Sequence, residues 1–454
     1  MPSQSKNGQL GVVARFNNVI AEHLARPFPQ GRGGMANPLV PSGLAFQKPA
    51  LPSQKFEIRR VEEVPVSGDT ASPGGKIQFT ATLSDDGILM PCLHLSYTLR
   101  NATSSGTGGL CQGSWAPFKT TRLYINGEAI EYLEDFNVFH SYEVGINRMD
   151  VAPSGSGSTY DPFTPQIREY NPLRILTNTN KQVANSSRQG LIFELDNPIT
   201  RTGQPFPANW FSAQLRFELE LAPIDDIRWP TTGSGTPTIT YENLRFVYYT
   251  LHMYDMTIKR QFQNTGFVLP MHYVTNQPEV WQATGDYNRQ INESTGCLNA
   301  LVMVPLPTAA SSDHRSKLTR YVTGTENHYQ SLQMFVEGKN LPQQVLTFNA
   351  EDEGRGWEYC ARWAHVGPQK RLDMYQGGMI GPRTFGPIYF PFGSNTFQKE
   401  EISDGLNLKS GNNDIKIQLK RTSGSTGVST LMHVFILSTG VLAMDYGKGV
   451  SWSR

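Results

Sequence analysis

An apolar–polar alternation of period two, recurring from residue 55 to the end of the chain, restricts this sequence more than any other feature. Ile77, Phe79, Ala81 and Leu83 fall on one side of a segment whose other side carries Lys76, Gln78, Thr80 and Thr82. Leu93, Leu95, Tyr97 and Leu99 alternate with His94, Ser96, Thr98 and Arg100, and Leu215, Phe217, Leu219 and Leu221 with Gln214, Arg216, Glu218 and Glu220. Late in the chain Ile415, Ile417 and Leu419 alternate with Lys416, Gln418 and Lys420. Successive side chains of a strand point to opposite faces, so each segment reads as a strand with one buried and one wetter face. Two segments, 298–306 and 431–437, are apolar on both faces and are expected to be central or covered by a further layer. Helical periodicity is scarce; short helices are expected at 12–24 and 132–142.

Turn signals separate the strands: Asp86-Gly87, Asn126-Gly127, Ser403-Asp404-Gly405 and Ser410-Gly411. Closely spaced strands without a βαβ rhythm predict antiparallel sandwiches or barrels. With 454 residues the chain exceeds the ~250–300 at which a single core stops growing, so at least two domains are expected. A polar stretch rich in Gly and Pro at 229–238 is read as the linker. It divides a first unit, 55–228, from a second, 239–454. Residues 1–54, with Pro27, Pro29, Pro38, Pro41, Pro49 and Pro52, cannot build a core of their own and read as an N-terminal arm. The two units echo each other: Arg122–Glu131 and Leu332–Leu341 are both a strand, a glycine turn and a second apolar stretch.

Several function classes lack their signatures. The net charge of +1 gives no reason to expect a nucleic-acid-coating or polybasic membrane-binding protein. Cys92, Cys111, Cys297 and Cys360 are too dispersed for a disulfide framework and include no CxxC pair. No run of ~18 apolar residues marks a membrane helix. No GxSxG elbow, phosphate-cradling GxxxxGK[ST] loop or HExxH motif occurs. Cys92 and His94 share a strand face, but two ligands do not make a zinc site. Asp85-Asp86, Asp225-Asp226 and Glu351-Asp352-Glu353 read as solvated turns, and Glu128 and Glu131 point to opposite faces by parity. No catalytic residue, cofactor site or metal site is therefore assigned. One alternative stays open: Trp115, Trp210, Trp229, Trp281, Trp357 and Trp363 as stacking platforms of a carbohydrate-binding or carbohydrate-active β-sandwich.

Three segments carry a resemblance to the double jelly-roll major capsid proteins of the adenovirus hexon, nucleocytoplasmic large DNA virus and Polinton-like virus lineage. The first is Ile402–Leu408 with the strands 414–419 and 431–437 and the tail Asp445-Tyr-Gly-Lys-Gly449, similar to the closing pattern of that family. At its turn Ser403-Asp404-Gly405 departs from the family's Pro-Ser/Thr-Gly. The second is 239–249, which resembles the strand opening the second jelly roll; the third is Tyr124–Glu131 followed by 136–142, similar to the middle of the first. The resemblance implies an all-β chain of two tandem eight-stranded antiparallel jelly-roll sandwiches with an N-terminal arm. It implies no enzyme but a structural subunit of an icosahedral DNA-virus capsid, a homotrimer with pseudo-hexagonal outline. Implied partners are neighbouring capsomers, minor capsid and penton proteins and, through the arm, an internal membrane; no specific nucleic-acid recognition is implied. The implied location is the virion, assembled in the host cytoplasm or nucleus. A single jelly roll with an added projecting domain is the competing viral architecture.

Overall fold

A computed structural model describes residues 56–81, 83, 87–102, 108–109, 114–140, 182–183, 188–227, 238–253, 257–307, 329–347, 388–392, 405–408, 414–421, 429–447 and 449–454. The expected arm and its helix, all of the 229–238 linker except residue 238, the acidic clusters 85–86 and 351–353, and Trp229, Trp357 and Trp363 lie outside the described residues.

The first half contributes β1 (Phe56–Glu63), β2 (Lys76–Ala81), β3 (Gly87–Asn101), the short β4 (Gly108–Gly109), β5 (Phe118–Ile125), β6 (Glu128–Leu133), the short β7 (Gln182–Val183), β8 (Arg188–Glu194), β9 (Leu215–Leu221) and β10 (Ile239–Met253). The order β1-β10-β3-β8 makes one antiparallel sheet and β2-β9-β5-β6 the other, while β4 and β7 pair in a small ribbon. The second half contributes β11 (Phe267–Asn276), β12 (Glu279–Trp281), β13 (Tyr287–Ile291), β14 (Leu298–Pro307), β15 (Tyr329–Val336), β16 (Lys339–Thr347), β17 (Ile388–Pro391), β18 (Ile415–Arg421), β19 (Thr430–Asp445) and β20 (Gly449–Ser453). Its sheets run β11-β19-β14-β17 and β13-β18-β15-β16, with β12 and β20 added along β19.

Counting the eight principal strands of each half in chain order, both halves read 1-8-3-6 over 2-7-4-5. The chain thus holds the same sandwich twice. The hairpin echo falls at the same place in each, between the fourth and fifth strands. Asn126 and Gly127 (φ 51° and 85°) make one turn, Glu337 and Gly338 (φ 52° and 73°) the other. Positive φ at both central residues defines the type I′ turn, whose twist matches that of the flanking strands.

The expected boundary needs correcting. Residues 239–253 do not open the second sandwich; they pair with β1 on one side and β3 on the other and complete the first. A half without them would lack its eighth strand and leave β1 unpaired. The connection between the sandwiches is instead the segment holding α3 (Thr257–Thr265), which precedes β11. The other helices, α1 (Pro198–Thr202) and α2 (Ile224–Ile227), flank β9. Of the helix expected at 132–142, residues 132–133 are strand and 136–140 form a helical turn.

The alternating strands bury the faces expected of them: Ile77, Phe79 and Ala81; Leu93, Leu95, Tyr97 and Leu99; Leu215, Phe217, Leu219 and Leu221; Ile415, Ile417 and Leu419. The two-sided strands β14 and β19 are explained by their position. Leu301, Met303, Met432, Val434 and Ile436 enter the core of the second sandwich. Ala300, Val302, Val304, Phe435 and Leu437 join the core that includes the first.

Candidate functional site: the joint between the sandwiches

The surface along which the two sandwiches meet holds a buried network of charged and polar side chains. Its apolar part is aromatic: Phe139 lies 5.0 Å from Phe435 and Phe211 6.2 Å from Phe267, centroid to centroid. From the connecting helix, Phe262 inserts between Trp210 and Phe267 at 5.9 and 5.8 Å, and the Gln263 side chain donates to the Trp210 carbonyl.

Its polar part begins with a short, tightly specified helix. Asn197 caps α1: its Oδ1 accepts from the Ile199 and Thr200 amides, and Thr200 Oγ1 accepts from the Asn197 amide in return. Pro198 fixes the first turn, and Gly203 (φ 70°) ends the helix in the left-handed conformation. These devices hold one turn of helix rigid, and it carries Arg201. The guanidinium donates from Nε to Asp196 Oδ1 at 2.9 Å, from Nη2 to Asp196 Oδ2 at 2.9 Å, and from Nη1 to Glu131 Oε2. Glu131 Oε2 also accepts the backbone N–H of Val274 at 2.7 Å, which carries the network across to β11. The Arg201 and Glu131 side chains are only 4% and 2% exposed, so water screens this cluster little.

A second crossing lies beside the first. Asn276 Nδ2 donates to Asp135 Oδ2 at 3.1 Å, and His433 Nδ1 lies 3.4 Å from the same carboxylate. Burial pushes the Glu131 carboxyl up, opposed by Arg201. Burial also acts to raise Asp135, but His433, Lys119 and Asn276 outweigh it and hold that carboxyl below its usual value. His272, hydrogen-bonded through Nδ1 to Thr439 Oγ1, is held down to about 4 by burial and by the Arg201 charge. This arrangement fastens two rigid bodies; it offers no nucleophile beside a base in an open cleft.

The residues weighed in the sequence distribute as follows. Cys92 Sγ and His94 Nδ1 are 3.9 Å apart, and no group of three His, Cys, Asp or Glu side chains suited to a metal occurs among the described residues. Cys92 and Cys297 form no disulfide. Asp225 and Asp226 lie in α2. Trp115, Trp210 and Trp281 are buried in the apolar cores, so none of the three is a platform for a sugar ring. Glu128 is exposed while Glu131 is buried; parity puts them on opposite faces but does not say which is buried. Sequence reasoning did not find the clamp built on Glu131, Asp196 and Arg201. The one local signal was Asn197-Pro-Ile-Thr200, a capping box, which announces the helix but not the partners of its arginine.

No protein-family model and no curated protein sequence matches the chain. Solved structures do match. The chain is similar to the VP54 protein of PBCV-1, as fitted into a reconstruction of the virophage Sputnik, with a TM-score of 0.61 at 11% identity over 88% of this chain and 97% of that one. It is similar to the Faustovirus major capsid protein with a TM-score of 0.58 at 9% identity, covering 98% and 99% of the two chains. A chain of the Sputnik virophage matches with a TM-score of 0.52 at 12% identity over 87% and 88%. At these identities the likeness is one of fold, and it spans both sandwiches.

Proposed function

We propose that this chain is the major structural subunit of an icosahedral virus capsid, assembling as homotrimers of pseudo-hexagonal outline. The observation that carries the reading is the doubled sandwich, identical in strand order and locked at its joint, together with end-to-end similarity in fold to the Faustovirus major capsid protein. Three copies of a rigid two-sandwich block present six similar units, a shape that tiles a flat face. Shell formation asks for rigid bodies and extended permanent contacts rather than a reacting group, and the absence of enzymatic activity is part of the proposal. So are contacts with neighbouring capsomers, minor capsid and penton proteins, and the assignment of residues 1–54 as an arm reaching a neighbour or an internal membrane. Purified full-length protein is expected to run as a trimer in light scattering and to give threefold particles with a hexagonal outline in negative stain. A monomer under every assembly condition tried would overturn the reading.

A further inference from the structure

The turn between β5 and β6 joins two residues whose amides can react with each other. Asn126 and Gly127 are both exposed, and their positive φ suits the type I′ turn they make. A backbone nitrogen that follows an asparagine can close a five-membered ring on the side-chain carbonyl carbon, and glycine obstructs that closure least. Gly127 leaves its N–H unshielded: a methyl group built on it would meet nothing within 4 Å. Asn126 itself is held in place. Its N–H donates to the Gln214 carbonyl at 2.9 Å, and its Oδ1 accepts the Gln214 N–H at 2.6 Å. The second bond acts on the reacting carbonyl. A donor on Oδ1 draws electron density from Cγ and stays with the oxygen as negative charge develops there.

The matching turn of the second sandwich lacks the reactive group. Glu337 and Gly338 adopt the same signs of φ, and the Glu337 N–H donates to the Asp414 carbonyl at 3.2 Å, the counterpart of the Asn126 bond to Gln214. A glutamate has no side-chain nitrogen to lose as ammonia, and its carboxylate is a poor electrophile. The strands that follow differ as well. β6 carries Glu131 into the buried pairing with Arg201, whereas β16 exposes Lys339, Asn340, Gln343, Gln344 and Val345. The labile turn thus stands on the strand that holds the joint.

We propose that Asn126 is a site of spontaneous deamidation, and that isoaspartate formed there loosens the joint between the sandwiches. The Gly127 nitrogen gives up its proton to hydroxide and attacks Cγ; the N–Cγ bond forms and the side-chain nitrogen leaves as ammonia. Water then opens the cyclic imide, so the net change is amide and water to carboxylate and ammonium, with no oxidant or reductant. Opening at Cγ gives aspartate, which keeps an oxygen for the Gln214 N–H and suits the same turn. Opening at the main-chain carbonyl gives isoaspartate, which routes the chain through Cβ and Cγ and adds one carbon to the backbone. A two-residue hairpin has no slack for that carbon, because turn length fixes strand register. The pairs Ile125 with Glu128 and Leu123 with Glu131 then shift, drawing Glu131 away from Arg201 and the Val274 N–H. The joint weakens as the protein ages. This chemistry does not depend on the assembly proposed above.

The test ages the full-length chain at mildly alkaline pH and compares it with fresh protein. Peptide mapping is expected to show the Asn126 peptide one mass unit heavier, with isoaspartate detected by enzymatic methylation. The urea midpoint is expected to fall in step with the isoaspartate content. Asn126→Glu, which copies the turn of the second sandwich, should age with neither change at this turn. Fresh Asn126→Asp should keep the parent midpoint, which separates the added charge from the added backbone carbon. In Arg201→Met, whose clamp is already broken, ageing should lower the midpoint by less than in the parent. An Asn126 that stays intact in folded protein while converting in protein held in urea would overturn the site. Isoaspartate with an unchanged midpoint, or an equal fall in Arg201→Met, would overturn its action on the joint.

Discussion

Replacing Arg201 by methionine keeps most of the side-chain volume and deletes the charge that two buried carboxylates share. In the native chain the guanidinium binds Asp196 through Nε and Nη2 and Glu131 through Nη1, with side-chain exposures of 4% for Arg201, 2% for Glu131 and 10% for Asp196. Without it, Glu131 retains only the Val274 N–H. Removing one partner of a buried ion pair costs about 3–5 kcal/mol, because the remaining charge is left uncompensated. The carboxyl can escape by taking up a proton, which sets a ceiling. For a glutamate of ordinary pKa 4.5, protonation at pH 7 costs about 3.4 kcal/mol, and at pH 5.5 about 1.4. Arg201→Met is therefore expected to lower stability by about 3 kcal/mol at pH 7, and the loss should shrink by about 2 kcal/mol at pH 5.5. The assay is the urea midpoint at both pH values with parent and variant in the same assembly state, read at unchanged m. Adding Glu131→Gln should restore part of the loss at pH 7 and flatten its pH dependence. A loss below about 1 kcal/mol at pH 7, or one that does not change with pH, would refute the argument that charge at this joint controls its strength.

Three further outcomes follow from single positions. Glu337 holds φ 52° in a type I′ turn where asparagine is favoured, so Glu337→Asn should stabilise the chain by about 0.5–1 kcal/mol in thermal or urea unfolding. Gly440 lies under the Trp452 ring, which a Cβ would strike, so Gly440→Ala should displace the indole, red-shift its fluorescence and destabilise by about 1–3 kcal/mol. His272 is buried with its pKa lowered from 6.5 to about 4; between those values the unfolded chain binds the extra proton, so stability is full above pH 6.5 and is lost as pH falls toward 4. The loss should approach about 3 kcal/mol, and His272→Gln should remove that part of the pH profile.

Strand faces were legible in the sequence because period two is a local property. Ile77, Leu95, Phe217 and Ile417 are buried where alternation places them. The covering layer over β14 was legible too, since a strand apolar on both faces has no stable place at a surface. The boundary was not. A linker was read from Gly and Pro content at 229–238, but partnership across β1, β10 and β3 is a non-local fact that composition does not carry. The clamp was invisible for the same reason. Glu131 and Arg201 are 70 residues apart in sequence, and nothing in either neighbourhood marks the other. Parity did separate Glu128 from Glu131, though not which of them would be buried with a partner.

The placement of β10 has a consequence for the order of events during synthesis. Phe56 pairs with Met253, almost two hundred residues later, and β10 lies between β1 and β3 along its length. A nascent chain therefore carries β1 and β3 with the space between them open until residue 253 has left the ribosome. At ~5–20 residues per second that is an interval of roughly ten to forty seconds. Pairings of such long range form slowly, and unpaired edges are sites of association in the meantime. The charges along β1 (Glu57, Arg59, Arg60, Glu62 and Glu63) then act as gatekeepers on the nascent chain, discouraging other chains from taking the place that β10 will fill.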